Sequence, residues 1–448
     1  MEGLELIKAV FEHKKTDRAP WVPFAGVHAG KLTGVGAKKI LTDPDALVKA
    51  LLEVNRLYRP DGQPVMFDLQ IEAEILGCKL VWSDDGPPSV ASHPLAETFD
   101  IPTKIPVKTE GRIPIALEAM KRMKKEVGGK TALYGLITGP FTLASHLRGT
   151  EIFMDMMTEQ EYVHKLLDYS RRAVAAVAAY YIETGMDVIA VVDPLISQIS
   201  PAHFAEFMEK PFAELFADIK KRGAYTSFFV CGNATMNIES MCRTKPDCIS
   251  VDENVNLAAA KKVTDRYNVV IGGNLPLTTV MLLGNQQDNM KAVVTLADSL
   301  TPGNWIAAPG CDMPYDTPIE NCVAAGQAVR ELEQARIMVA HYSAPDLVFT
   351  GVLPDYAHLK KPLVEVFTLD SATCAACGYM LEAAKEAVAR FSGRADIVEY
   401  KFTIKDNIAR CVTMGVKQLP SLYLNGQLAY SSIIPTVEEL AKKIEETL

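Results

Sequence analysis

Two cysteines, Cys231 and Cys311, each end an apolar run of the sequence, YTSFFVC in one case and WIAAPGC in the other. Packing alone explains many such residues, because free cysteine is among the most buried residue types. Two thiolates that meet at one place would instead form a soft metal site, and zinc is its usual occupant. The two cysteines are far apart in the chain. Spacing by itself therefore favours packing, and only the fold can bring the sulfurs together.

The elements that must position these residues are short β-type runs separated by long helical patterns. Eight such runs occur before residue 340, and each closes on Gly, Asp, Asn or Cys. This alternation predicts an α/β fold, a (β/α)8 barrel of the TIM type, with an open doubly wound sheet as the alternative. In a barrel the carboxyl ends of the strands hold the chemistry. Those predicted ends are Asp68, Thr138, Asp193, Cys231, Asp252 with Glu253, Asn274, and Cys311 with Asp312.

The composition narrows the class of protein. The chain has 448 residues, of which 48% are apolar and 23% charged, with a net charge of −9. We expect two or three globular domains, and the charge argues against nucleic acid as the main partner. The first residues lack a secretory apolar region, and the longest apolar run, AVAAVAAYYI, is too short to span a bilayer. A cytoplasmic protein without a membrane partner follows, and its nine cysteines are expected to be thiols, metal ligands or redox groups.

A second unit is predicted after the barrel. The barrel is expected to occupy residues 1–342, a Pro-containing linker 343–358 and the second unit 359–448. There a strand is followed by Cys374 and Cys377, in a Cys-x-x-Cys pattern, at the start of a helix, and an LPS segment precedes a later strand. This arrangement resembles the thioredoxin-like fold, with Leu419-Pro420 at the position of its cis-proline. Cys374 is then the attacking thiol and Cys377 the resolving thiol, whereas a structural zinc knuckle is the weaker alternative.

Several segments of the first unit together resemble the uroporphyrinogen decarboxylase superfamily, and within it the corrinoid-dependent methyltransferases that act on coenzyme M. The segments include FDLQIEAEILGC, GPFTLASHLRG, VVDPLISQISPAHFAEF, VCGNATMNIESM, IGGNLP and GCDMPYDTPIENCVAA. The resemblance runs from Met1 to about His341. It implies a barrel that takes a methyl group from a methylcorrinoid on a partner protein and passes it to a thiol or to tetrahydrofolate.

The same resemblance implies a metal site with one departure. The thiol-methylating members hold zinc with a His-x-Cys motif and a Gly-Cys motif, which Cys231 and Cys311 match, but the histidine position is Phe229. A phenyl ring cannot bind a metal. Either a third ligand comes from Asp252, Glu253, Asp312 or His28, or there is no zinc; a site without metal suits a folate acceptor.

Other residues receive roles on the same basis. Asp193, Glu253 and Asn274 are expected to orient the acceptor as catalytic residues, whereas Asp68 and His28 are candidates for cofactor binding. Glu72 and Glu74 are interpreted as part of a solvated loop. His146 is interpreted as structural, and the remaining barrel cysteines as core residues, namely Cys78, Cys242, Cys248 and Cys322.

Two rival functions stay open at this stage. Decarboxylation of uroporphyrinogen needs cationic groups for a substrate with many carboxylates, and VPFAGVHAGKLTG after the first strand has no arginine. A redox adaptor that binds a corrinoid without turnover is the other rival. For the second unit, one hypothesis is that it keeps Cys231 and Cys311 reduced, and another is that it docks the corrinoid protein.

Overall fold

The protein, described by a computed structural model, has two compact units, Met1–Tyr342 and Ser343–Leu448. The described residues are 1–344, 348–372 and 374–448. Part of the predicted linker, residues 345–347, lies outside them. Within the described residues, no helix is long and apolar enough to cross a membrane.

The first unit, described throughout, contains a parallel sheet of seven strands in the order β1-β4-β5-β6-β7-β8-β9. These strands are β1 Gly62–Met66, β4 Ala132–Thr138, β5 Val188–Val192, β6 Tyr225–Val230, β7 Cys248–Val251, β8 Val270–Gly272 and β9 Trp305–Ile306. A two-stranded hairpin lies apart from this sheet and consists of β2 Leu80–Val81 and β3 Ser89–Val90.

An extended segment at Trp21 closes the parallel sheet on itself. Trp21 forms a parallel bridge with Ala307 beyond β9, and its carbonyl accepts a hydrogen bond of 2.9 Å from the amide of Asp61 before β1. With this segment every predicted β-type run has its place around a barrel. The open doubly wound alternative is wrong, because the two edges of the sheet meet.

Helices alternate with the strands of the first unit. They are α1 Gly3–Phe11, α2 Ala37–Thr42, α3 Pro44–Tyr58, α4 Ile71–Ile75, α5 Ile113–Glu126, α6 Pro140–Arg148, α7 Glu151–Thr158, α8 Gln160–Glu183, α9 Pro201–His203, α10 Glu209–Lys221, α11 Ile238–Arg243, α12 Leu257–Arg266, α13 Gln286–Ser299, α14 Ile319–Arg330 and α15 Leu332–Met338. A 3-10 helix at Val27–Thr33 follows the segment that closes the barrel.

Alternation along β6 shows how the sequence fills both faces of the sheet. Phe228 stacks on Phe212 of α10, with ring centroids 4.4 Å apart, and so faces the outer helices. Phe229, the next residue, points the opposite way because successive side chains of a strand alternate between faces. It packs inside the barrel against Phe24 and Phe67, at centroid distances of 4.7 and 6.1 Å.

The second unit is a four-stranded mixed sheet with helices. Its elements are β10 Leu363–Thr368, α16 Ala375–Ala389, β11 Asp396–Lys401, α17 Lys405–Met414, β12 Ser421–Leu424, β13 Gln427–Ser431 and α18 Val437–Glu445. The strand order is β11-β10-β12-β13, with β10 parallel to β11 and antiparallel to β12. The hairpin turns at Asn425-Gly426, both in the left-handed region with φ of 50° and 76°, as two-residue hairpin turns favour. The Leu419–Pro420 peptide bond is cis.

Candidate active site

The carboxyl ends of the barrel strands bring Cys231 and Cys311 together as a disulfide, with their Cα atoms 5.8 Å apart. Cys231 directly follows β6, two residues beyond Phe229, and therefore shares the inward face of that residue. Cys311 follows the extended segment after β9. Both are half-buried and pack against the aromatic core inside the barrel. The fold thus brings together two sulfurs whose proximity could not be predicted from their spacing in the sequence.

Phe229 stands where a third ligand would be needed. Its ring is fully buried in the aromatic core, and within the described residues no group of three or more His, Cys, Asp or Glu side chains could hold a metal ion. Catalytic zinc takes three protein ligands and keeps one position open. The residues present do not fit such a zinc.

Carboxyl groups lie close to this disulfide. The amide of Gly26 donates a hydrogen bond of 2.7 Å to Asp312, and removal of water around this carboxyl raises its pKa to about 8. Glu253 is near Gly310, because a Cβ built on that glycine would lie 2.4 Å from its Oε2. The amide of Leu277 donates to Glu253 Oε1 at 3.3 Å, whereas the buried Oε2 has no hydrogen-bond partner.

Burial, and then the neighbouring Asp252, raise the pKa of Glu253 well above its usual range. Protonation of Glu253 removes the cost of placing two negative charges side by side. The protonated form of the predicted acceptor-orienting residue Glu253 is therefore favoured more than in an exposed glutamate. Its one unsatisfied oxygen could bond a polar ligand.

Asn274 forms hydrogen bonds with the loop that contains Asp252 and Glu253. Its side-chain amide donates to the backbone oxygens of Asp252 and Val255, at 2.9 and 2.8 Å. The side chain is 4% exposed. In this geometry Asn274 positions the carboxylates, and a direct contact between Asn274 and substrate stays a prediction.

A second charged cluster follows β1 and contains an arginine that the sequence did not single out. Arg112, immediately before α5, pairs through Nη1 with Asp68 and donates from Nε to Glu74 at 2.8 Å. Its guanidinium also lies over the ring of Trp82, 4.9 Å from the centroid. Its Nη2 is buried without a hydrogen-bond partner. Asp68 is thus engaged with a cation, and a contact with cofactor is left as a prediction.

The interpretation of Glu72 as part of a solvated loop is wrong. Glu72 is 1% exposed on the short helix α4, and Thr138 at the end of β4 donates to its Oε2 at 3.1 Å. Burial raises the pKa of Glu72 to about 7, and the nearby Asp68 acts in the same direction. Glu74, two residues on, is half-buried and reaches Arg112. Alternate positions on a helix point in different directions, which explains why the two glutamates differ.

Asp193 lies at the end of β5 with its carboxylate turned to the start of α6. It accepts hydrogen bonds from the amides of Phe141 and Thr142, at 2.9 and 3.1 Å, and from the Thr142 hydroxyl at 2.6 Å. The side chain is fully buried, and this burial raises its pKa to about 7. These contacts make Asp193 a residue that caps the start of α6, and its catalytic role stays a prediction.

His28 lies in the 3-10 helix and is fully buried rather than open at the barrel mouth. Its Nδ1 contacts the backbone oxygen of Tyr315 at 3.0 Å, and its Nε2 contacts the Tyr58 hydroxyl at 2.7 Å. Burial lowers the pKa of His28 to about 4. Both ring nitrogens are occupied by protein groups, and the predicted role in cofactor binding stays a prediction.

The cysteines of the second unit differ in accessibility. Cys374 is the residue immediately before α16 and is half-buried, whereas Cys377 is 1% exposed. The amide of Leu369 donates to the Cys377 sulfur at 3.3 Å, while burial and the adjacent Cys374 raise the pKa of Cys377 well above its usual range. Cys377 therefore keeps its proton more firmly than an ordinary thiol.

Comparison with known proteins shows which family the first unit matches. The family described as Uroporphyrinogen decarboxylase (URO-D) matches residues 3–332. The Methylcobamide:CoM methyltransferase MtbA of Methanosarcina mazei is 31% identical over 324 residues, which cover 71% of this chain and 94% of the relative. The Uroporphyrinogen decarboxylase of Trichodesmium erythraeum is 25% identical over 306 residues, or 66% of this chain and 85% of the relative.

A solved structure described as a methyltransferase from Methanosarcina mazei superposes with a TM-score of 0.69. It is 23% identical to this chain, and the match covers 74% of this chain and all of the other. At that identity the likeness establishes the fold alone, and it agrees with the barrel described above.

Proposed function

This chain belongs to the uroporphyrinogen decarboxylase family, and we propose that it is a methyltransferase that takes a methyl group from a methylcorrinoid carried by a partner protein. The observation that carries the proposal is the 31% identity to a methylcobamide:CoM methyltransferase along almost the whole of that relative. The paired cysteines stand at the positions where the resemblance implies zinc in the thiol-methylating members, which supports the mouth of the barrel as the site of transfer.

The acceptor we propose is a reduced pterin of the tetrahydrofolate type, with a thiol as the alternative. Zinc activates a thiol by deprotonating it, and the site lacks the third ligand because Phe229 occupies that position. An amine acceptor needs no metal, since its lone pair is already available for attack. The absence of a suitable third ligand among the described residues therefore favours an amine.

The chemistry assigns a defined task to the protein. The methyl group moves to the acceptor nitrogen while both electrons of the cobalt–carbon bond stay on cobalt, and the nitrogen then loses its proton. A carboxylate at the mouth can receive that proton, and Asp252 is beside the site. Glu253 has an unsatisfied Oε2 and a raised pKa that favours its protonated form, in which it can donate a hydrogen bond to a ring carbonyl or ring nitrogen of the pterin. The aromatic core around Phe24 and Phe229 excludes water from the floor of the site.

Decarboxylation of uroporphyrinogen fits the charges less well. The two clusters at the mouth contain Arg112 as their cation, and it is already paired with Asp68 and Glu74. Acidic groups outnumber it, because Glu72, Asp252, Glu253 and Asp312 lie in the same two clusters. A substrate with many carboxylates would meet several acidic groups there, neutral or charged, and an arginine that is already paired.

The test is methyl transfer from methylcobalamin by the full chain, purified without oxygen, with tetrahydrofolate and coenzyme M as separate acceptors. The visible spectrum reports conversion of methylcobalamin to cob(I)alamin, and mass spectrometry identifies the methylated acceptor. We expect product with tetrahydrofolate. Methylation of coenzyme M alone would refute the pterin proposal. If methylcobalamin loses no methyl group with either acceptor, methyl transfer to both classes would be refuted.

A gain-of-ligand variant tests the argument about the acceptor. Phe229→His restores the His-x-Cys pattern on the inner face of β6, so the reduced variant should bind about one zinc per chain. Phe229→His/Cys231→Ser is the matched control and should not. Zinc in the reduced wild type at the same level as in Phe229→His would contradict the argument, because it would show that Phe229 does not prevent metal binding.

A further inference from the structure

We propose that Cys231–Cys311 is a redox-active disulfide and that the Cys374–Cys377 pair of the second unit reduces it by thiol–disulfide exchange. The exchange is an activity separate from methyl transfer and does not depend on the identity of the methyl acceptor. It assigns one purpose to two cysteine pairs that lie in different units of the chain.

The barrel pair has the properties of a reactive disulfide rather than of core cysteines. Cys231 and Cys311 are half-buried at the carboxyl ends of strands, where ligands reach a barrel. Every other cysteine of the first unit is buried, and that unit is described throughout; these are Cys78, Cys242, Cys248 and Cys322. The sulfurs are bonded to each other, and no set of ligands holds them to a metal in the described residues.

The second pair has the asymmetry that exchange requires. Cys374 is half-buried at the first turn of α16, where the partial positive charge of a helix N-terminus stabilises a thiolate. Cys377 is buried one helical turn on. The accessible member can attack an external disulfide, and the sheltered member can resolve the mixed disulfide. Cys411 is buried and serves as an internal reference.

The reaction balances without any other reactant. The Cys374 thiolate attacks one barrel sulfur, the Cys231–Cys311 bond breaks, and the leaving sulfur takes the electron pair and then a proton. Cys377 next loses its proton and attacks the Cys374 sulfur, which releases the other barrel sulfur as a thiolate that is protonated in turn. Two electrons and two protons have passed from the Cys374–Cys377 dithiol to the barrel disulfide.

Trapping the intermediate is the direct test. In full-length Cys377→Ser the second step is blocked, so reaction with the oxidised barrel should accumulate a mixed disulfide between Cys374 and Cys231 or Cys311, located by peptide mass spectrometry. Cys374→Ser is the matched control and should give no such link, and Cys411→Ser/Cys377→Ser should trap as well as Cys377→Ser. A barrel disulfide that forms on oxidation but never joins Cys374 would overturn the proposal. Full alkylation of Cys231 and Cys311 after oxidation would also overturn the proposal, because it would show that the barrel disulfide does not form.

A rate measurement keeps the proposal testable if Cys377→Ser folds poorly. The fully oxidised full chain is treated with limiting dithiothreitol, and alkylation of Cys231 and Cys311 is followed with time. A thiolate at a helix N-terminus reacts faster than an ordinary thiol, so barrel reduction in Cys374→Ser should be roughly tenfold slower than in the wild type. Equal rates in the two proteins, with Cys411→Ser unchanged, would overturn the proposal.

Discussion

Replacement of Asp193 separates a structural role from a catalytic one. The carboxylate accepts hydrogen bonds from two amides in the first turn of α6 and from one hydroxyl, in a place without solvent. In Asp193→Ala those two amides lose their partner, and each unsatisfied buried donor costs about 1–3 kcal/mol. We therefore expect the free energy of unfolding of the barrel to fall by roughly 2–5 kcal/mol. Asp193→Asn keeps one acceptor oxygen in place and should cost less than half as much.

Tryptophan fluorescence during urea unfolding measures this change selectively. Trp21, Trp82 and Trp305 are the three tryptophans of the chain, and all lie in the first unit, so the signal reports the barrel and not the second unit. The folded pKa of Asp193 lies near 7, above the value of 3.8 that an unstructured chain would have. The folded state thus retains a proton that the unfolded state releases, and the contribution of Asp193 weakens as pH rises through about 7. The deficit of Asp193→Ala should accordingly be smaller at pH 8 than at pH 6.

Thr142→Val is the control for this experiment, because it removes only the hydroxyl bond and should cost about 1 kcal/mol. An unchanged unfolding transition in Asp193→Ala would refute the capping argument. An Asp193→Asn variant that folds like the wild type yet no longer transfers methyl groups would support the catalytic role expected from the sequence.

Three further changes test other parts of the barrel with the same fluorescence signal. The wild type should lose roughly 3 kcal/mol of stability as pH rises from 4.5 through 7, because folding raises the pKa of Glu72 from 4.5 to about 7, and Glu72→Gln should abolish this loss. Glu74→Gln is the control and should retain the loss. Equal pH profiles of stability for the wild type and Glu72→Gln would contradict the raised pKa of Glu72. Arg112→Ala should lower the free energy of unfolding by about 3–5 kcal/mol because it leaves buried carboxylates unpaired, and Arg112→Lys should have an intermediate effect. A decrease smaller than that of a typical surface substitution would contradict the buried ion pairs of Arg112. Gly139→Ala should destabilise the wild type, since its Cβ would lie 2.2 Å from Asp193 Oδ2 and 2.3 Å from Asp193 Cβ, but far less in the Asp193→Gly background, which removes both atoms; additive costs would show that the clash is elsewhere.

Much of the barrel could be predicted because its strands are buried on both faces. Such strands are continuous apolar runs, as in VIAVV of β5, and each ends where a polar residue meets the mouth. The strand at Trp21 was predicted from the same pattern, although the structure gives it only a single bridge and its flanking hydrogen bonds. The thioredoxin-like identity of the second unit stays a prediction, supported by the mixed sheet and by the position of Cys374 at the start of α16.

The site was less predictable because its contacts join residues far apart in the sequence. Arg112 precedes a helix without any motif, and its partners Asp68 and Glu74 come from another part of the chain. The burial of His28 could not be predicted, because Tyr58 and Tyr315, which contact its ring, are remote from it in sequence. The carboxyl end of a strand predicts that a residue reaches the mouth, but it does not say whether the side chain turns to substrate or, like that of Asp193, to the next helix.

Phe229 stands at the position where the resemblance implies a histidine. This difference links the proposed chemistry of the first unit to that of the second. A thiolate bound to zinc is held by the metal, whereas two neighbouring thiols without metal can be oxidised to a disulfide as soon as an oxidant reaches them. Without a metal ligand at position 229, the barrel cysteines are open to oxidation. A thiol pair without metal needs a reductant once it is oxidised, and the proposed exchange with Cys374 and Cys377 would supply one. If Phe229→His makes the barrel cysteines resistant to oxidation once zinc is bound, the same variant should also stop trapping Cys374 in the Cys377→Ser background.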